Sequence, residues 1–228
     1  MRYDAVFLDV DETLLWVDMD VEGYVEDLAP YAADGSLTVE EACGPVWASL
    51  WKHINENINY QTEEELAQFR RENARKTARA LGLAAPTEIL VEAWERRIIF
   101  NPYPESEEVM EELVNMGLPL YAVSNWDVRL ESVLDGLGWT GYFSGIVASA
   151  MLGSEKPEKT IFEEALRRAV VVPRDRVVHV GNDPVSDVRG AASCGIDAVL
   201  VDRNGGLEAP EAVATLPDLR GLPALVRG

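Results

Sequence analysis

The sequence predicts an α/β protein with a doubly wound, mainly parallel sheet and an inserted helical segment. Three observations carry this. Short Val-rich apolar runs bounded by turn residues recur along the chain, each too short for a helix. Helical patterns separate the later runs, the alternation expected of a parallel sheet covered on both faces. From about Val17 to Phe100 the alternation lapses, with helical spacing and no convincing strand.

Taken in order, the strands are expected at Ala5–Val10, Leu118–Ser124, Gly145–Ser149, Val177–Val180 and Ala198–Val201. Helices are expected at Glu105–Met116, Val128–Leu137, Glu158–Ala169 and Asp187–Cys194, several of them stopping at Gly. Within the interruption, helical spacing marks Val39–Asn59, Thr62–Leu81 and Thr87–Ile99. An insertion of that size directly after the first strand exceeds a simple crossover. It reads as a separate helical domain, residues 17–100, covering the carboxyl edge of a sheet built by residues 1–16 and 101–228, with Asn101-Pro102-Tyr103-Pro104 as the hinge.

The chain has 228 residues, 47% apolar and 26% charged, enough to bury a real core. Its formal charge is −20, with acidic residues spread along the whole length, so a nucleic acid would meet a repulsive field almost everywhere. A small anionic partner would need a local positive pocket. Cys43 and Cys194 are the only cysteines, which suggests neither a disulfide framework nor a zinc site. The first residues lack the basic flank and apolar stretch of a secretion signal, and no segment has the apolar length to cross a bilayer, so a cytoplasmic location with no membrane partner is expected.

In an open parallel sheet, ligands bind outside the carboxyl ends of the strands. Four such places stand out. The first strand ends in Asp9-Val10-Asp11-Glu12-Thr13, two carboxylates and a Thr that a sheet core does not require. A lone Asp there would be a turn or cap, but the pair suits a hard-metal site or a nucleophile with its acid partner. Ser124-Asn125 ends the second run before a helix, where hydroxyl, amide and backbone N–H groups can hold a phosphate oxygen, although taken alone a plain helix cap is the better reading. Lys156, in Ser154-Glu155-Lys156-Pro157, is a loop lysine restrained by proline; in so acidic a chain it could neutralise phosphate and keep nearby carboxylates ionised. Last, Gly181-Asn182-Asp183-Pro184-Val185-Ser186-Asp187 brings a second acidic cluster to the same edge.

These four motifs in this order resemble the haloacid dehalogenase superfamily, in its branch with a helical cap after the first core strand, over nearly the whole chain. The resemblance implies a Rossmann-like core and a magnesium-dependent phosphatase. Asp9 would be the nucleophile and Asp11 the general acid and base. Thr13, Ser124, Asn125 and Lys156 would hold the phosphate, and Mg2+ would be held by Asp9, the Asp11 carbonyl and Asp183, with Asn182 and Asp187 also in the metal set. The dehalogenase branch lacks an acidic residue at the position of Asp11, which favours phosphatase. Two departures are plain: Glu12 stands where the family commonly has Gly, and Gly181-Asn182-Asp183 stands where it often has Gly-Asp. Counting back from Gly195 favours Asp183 as direct ligand and Asp187 as its support.

The expected partner is a small phosphorylated metabolite, a nucleoside monophosphate or sugar phosphate, acted on by a monomer or homodimer. A phosphomutase is the sister reading, and a dehalogenase or a binding protein without catalysis ranks lower. The implied cap would select the substrate. Its Trp16, Tyr24, Trp47, Trp51, His53, Asn57 and Tyr60 invite a base-stacking site, but Trp47, Trp51 and Ile58 at helical spacing read more readily as the cap's own core. His53 reads as surface or packing, and His179 as a satisfied core residue.

Overall fold

The computed structural model describes residues 1–33, 35–170 and 173–228. Its contacts divide the chain into two compact units, Met1–Trp16 with Pro102–Gly228, and Val17–Asn101.

In the first unit, β1 (Ala5–Leu8) is four apolar residues buried on both faces, as the middle of a parallel sheet demands. The chain continues through β2 (Leu15–Met19), the second unit and β3 (Ile98–Pro102) before the sheet resumes. The later strands are β4 (Leu120–Ser124), β5 (Phe143–Ala148), β6 (Val177–Gly181), β7 (Asp197–Val201) and β8 (Ala214–Leu216). The sheet order is β5-β4-β1-β6-β7-β8 with every pairing parallel, a doubly wound α/β architecture. The chain steps from β1 to β4 on one side and later to β6 on the other, so the strand order reverses at β1. In sheets of this kind ligands bind at the carboxyl ends beside such a reversal.

The helices, in chain order, are α1 (Val21–Leu28), α2 (Val39–Glu56), α3 (Glu63–Ala80), α4 (Thr87–Arg97), α5 (Ser106–Asn115), α6 (Leu130–Gly136), α7 (Ser149–Leu152), α8 (Lys159–Arg168), α9 (Gly190–Ser193) and α10 (Leu222–Arg227). On one face of the sheet Phe7, Tyr121, Val123 and Leu200 pack with Ile161, Phe162 and Ala165 of α8 and Ala191 of α9. No helix among the described residues is long and apolar enough to cross a membrane.

In the second unit, Thr38 and Thr62 each close a capping box, with Glu41 and Glu65, at the starts of α2 and α3. Tyr24 and Leu28 of α1 join Val46, Leu50, Ala74, Leu90 and Trp94 in a core of the unit's own. Two expectations fail here. The stretch holds strand residues at both ends, because β2 and β3 form a two-stranded sheet. Ile98 and Ile99, expected to finish a helix, are β-branched and with the aromatic Phe100 leave α4 for the strand. Trp51 is 58% exposed, not core. The buried face of α2 is Ala42, Val46, Ser49, Leu50 and His53, and the residue after Leu50 turns away from it.

Candidate active site

Each motif residue follows from where its strand stops. Asp9 comes one residue after β1, tied by its N–H to the carbonyl of Val180 on β6 at 2.9 Å. Its side chain is 5% exposed. Asp9 Oδ1 accepts from Ser124 Oγ, the last residue of β4, at 2.9 Å and from Lys156 Nζ at 2.6 Å. Asp9 Oδ2 accepts from Thr13 Oγ1 at 3.2 Å. All the partners are buried.

Lys156 Nζ makes a second charged bond, to Asp187 Oδ1, at 2.6 Å. The ammonium therefore sits between the two carboxylates contributed by the first and last motifs, the arrangement that lets both stay charged in a buried place. Burial opposes the charge on Lys156, but Asp187 and Asp9 outweigh it and hold its pKa above the usual lysine range. Burial likewise opposes ionisation of Asp187, and there Lys156 and His179 prevail and hold its carboxyl well below the usual range. For Asp9, burial is the largest influence and pushes the carboxyl up, with Lys156 opposing and the charge of Asp187 adding.

Asn125 bonds the backbone of the lysine loop. Its Oδ1 accepts from the Lys156 N–H at 2.7 Å and its Nδ2 donates to the Lys156 carbonyl at 3.0 Å. It pins the loop that delivers the lysine, where the Lys156–Pro157 peptide is cis.

After β6 the backbone turns at Gly181, where a Cβ would run into the Asp187 carboxylate, so only glycine lets that side chain lie across the strand end. Asp187 Oδ2 accepts from the Asp183 N–H at 3.0 Å. Asp183 Oδ1 is taken by the N–H groups of Val185 and Ser186, capping a π-helical turn over Pro184–Arg189 where an α-helix from Asp187 was expected. Asn182, not the favoured Asp183, is the residue recorded against Asp9. Its side-chain oxygen as placed faces the acceptors Asp9 Oδ2 and the Asp11 carbonyl, 3.3 Å from each; with the amide turned, its nitrogen donates to both. Thr13 Oγ1 lies 3.4 Å from the same oxygen.

Among the described residues no three His, Cys, Asp or Glu side chains group as a metal site. The donor set here is of another kind: the Asp9 carboxylate, the Asp11 carbonyl and the Asn182 amide, which donates its nitrogen to both and can turn its oxygen to a cation in their place. Neighbouring ligand oxygens around a small octahedral cation lie about 3 Å apart, and the 3.3 Å spacings suit that. The residues present fit a hard divalent cation.

Three residues outside the expected set support the site. His179 on β6 is fully buried, with Nε2 2.9 Å from Asp187 Oδ1 and no hydrogen-bond partner for Nδ1 among the described residues. Beyond β7, Arg203 donates to the Thr13 carbonyl at 2.8 Å and to Glu105 Oε1 at 2.7 Å, with its guanidinium 3.4 Å from the Tyr103 ring centre. Tyr103 in turn donates to Glu12 Oε2 at 3.1 Å. The strand-end rule applied to β7 would have flagged Arg203; nothing in the local sequence marks Tyr103 as its partner.

Comparison with known proteins adds four findings. A family model described as haloacid dehalogenase-like hydrolase matches residues 3–195. A Methanothermobacter thermautotrophicus protein named glyceraldehyde 3-phosphate phosphatase is 31% identical, with 87% of this chain and 85% of that protein covered. A Mus musculus protein named haloacid dehalogenase-like hydrolase domain-containing protein 3 is 42% identical over 37% of this chain, and the match spans only 34% of that relative's length. Among solved structures, a 2-haloacid dehalogenase from Pseudomonas syringae superposes with a TM-score of 0.68 at 23% identity, covering 99% of this chain and 98% of that one, a likeness of fold alone.

Proposed function

This chain belongs to the haloacid dehalogenase-like hydrolase family, and from that premise we propose that it hydrolyses a small phosphate monoester with magnesium as cofactor, Asp9 being the nucleophile. The observation that carries the reading is the buried Asp9 carboxylate, held by Ser124, Thr13 and Lys156 where the strand order reverses.

In this reading a carboxylate oxygen of Asp9 attacks phosphorus as the bond to the leaving oxygen breaks, and Asp11 gives that oxygen its proton. Asp11 then takes a proton from water, which attacks phosphorus, releases inorganic phosphate and restores the Asp9 carboxylate. Lys156, Ser124 and Thr13 orient the nucleophile and offer donors to the phosphoryl oxygens. Asp9, Asn182 and the Asp11 carbonyl would hold Mg2+, with Asp183 and Asp187 shaping the loop beside them. The bound ion would neutralise charge as a dianionic phosphate meets a cluster in which two carboxylates face one lysine.

Asp11 supports phosphatase over dehalogenase, since an alkoxide leaving group needs a proton and a halide does not. The name of the M. thermautotrophicus relative puts a small sugar phosphate ahead of a nucleotide as substrate. A cytoplasmic enzyme acting on a small metabolite completes the reading.

A phosphate-ester panel with an aryl phosphate, run with magnesium and with chelator, tests it. Turnover should need the metal, and Asp9→Asn should lose at least about 10³-fold in kcat. Undiminished turnover by Asp9→Asn removes Asp9 as nucleophile.

A further inference from the structure

Glu12 adopts φ +57°, the left-handed region, which disfavours a residue that bears a side chain. Glycine would suit that backbone, so a carboxylate here is a chemical choice made against local conformation. The side chain is also held. Tyr103 donates to Oε2 at 3.1 Å, while Oε1 makes no hydrogen bond among the described residues. Burial, then the Glu12 charge, push Tyr103 up to about 12, which keeps it a donor at working pH.

Glu12 lines a cleft of about 180 Å³ with Tyr103, Asn182, Asp202, Arg203 and Asn204. Asn182 is the residue that faces Asp9 and the Asp11 carbonyl, so the cleft shares a wall with the reacting centre. The other charges on its walls are spoken for. Asp202 accepts from the N–H groups of Gly205 and Leu207 at 2.8 and 2.9 Å, and Arg203 is matched by Glu105, the Thr13 carbonyl and the Tyr103 ring. The charge left to address a ligand is that of Glu12.

We propose that Glu12 is a specificity-determining residue whose carboxylate accepts hydrogen bonds from a small leaving group bearing O–H or N–H donors and repels one bearing a carboxylate. This rests on the phosphatase reading and deepens it. Glu12 is exposed, so discrimination arises from like-charge repulsion at short range across the cleft, with Arg203 already matched elsewhere.

The test compares wild type, Glu12→Gln and Glu12→Gly on glycerol 3-phosphate, O-phosphoethanolamine and 3-phosphoglycerate, each kcat/KM divided by that of the same protein for an aryl phosphate. Wild type should favour the first two over 3-phosphoglycerate by about tenfold or more, and both variants should bring that ratio to within about threefold. The Gln variant keeps an acceptor without the charge. A loss confined to phosphoethanolamine in that variant identifies the donor as an ammonium; a loss of glycerol 3-phosphate only in Gly identifies it as a hydroxyl. The Gly variant suits the backbone, so misfolding does not confound the comparison. Ratios unchanged across the three proteins, or a wild-type preference for 3-phosphoglycerate, overturn the role of Glu12 and leave the phosphatase standing. Wild-type protein inert towards the aryl phosphate removes both.

Discussion

Lys156 is 4% exposed and bonded to two carboxylates, so its ammonium does what water would do at the surface. Lys156→Met keeps the length of the side chain and strands Asp9 and Asp187 in apolar surroundings. Such a change should cost about 3–5 kcal/mol of stability, read as a lower urea midpoint, together with most of the aryl phosphatase turnover. A midpoint shift below about 1 kcal/mol would show that the cluster relaxes without its cation. At this scale the sequence was generous: Asp9, Thr13, Ser124, Lys156 and Asp187 were named from strand ends, and the structure brings their side chains into one network. It did not show which side chains bond to which. Asn125 bonds backbone 31 residues away, and Asn182 reaches back to the first strand, facts of spacing between loops that no local pattern contains.

The second unit's α1 shows how an element hides. Eight residues with Gly23 near the start carry a weak helical signal, yet Asp20 caps the helix and Arg97 bonds both Asp20 and Asp27. A Cβ at Gly23 would collide with that Arg97 guanidinium, so the glycine serves a close approach. The same helix buries Tyr24 completely, its hydroxyl without a partner among the described residues, which removes it from any stacking role. Burial pushes Tyr24 up to about 12 from 10.0. A raised tyrosine stabilises fully below its unfolded value, and that contribution drains away as pH climbs from 10 towards 12. Tyr24→Phe should therefore flatten this alkaline fall and, by deleting an unpaired polar atom, match or exceed wild-type stability by up to about 1 kcal/mol. Denaturant melts at pH 8 and pH 11 check both; an equally steep alkaline fall in the variant assigns the effect elsewhere. Strands β2 and β3 escaped notice for a related reason, being short and joined to a motif on one side and a helix on the other.

For the molecule as a whole, the charge of −20 is a standing self-repulsion that compactness makes worse. Raising NaCl from about 0.02 to 0.5 M shortens the Debye length from roughly 20 Å to below 5 Å and should raise Tm by a few degrees. A Tm that falls with salt would mean that the ion pairs outweigh the net field. Ion pairs such as Arg176 with Asp4 and Arg227 with Glu112 are largely exposed and should add little at either salt.

Composition and period alone settled that this chain makes a parallel α/β sheet, because buried strands and covering helices write their apolar repeats directly into neighbouring residues. Strand-end chemistry, also local, named the reacting groups. Only the folded chain decided which carboxylate meets the lysine, that Asn182 rather than Asp183 faces Asp9, and that Tyr103 and Arg203 brace Glu12. Those pairings depend on distances across loops far apart in the chain, and such distances are set by packing of the sheet, not by any one segment.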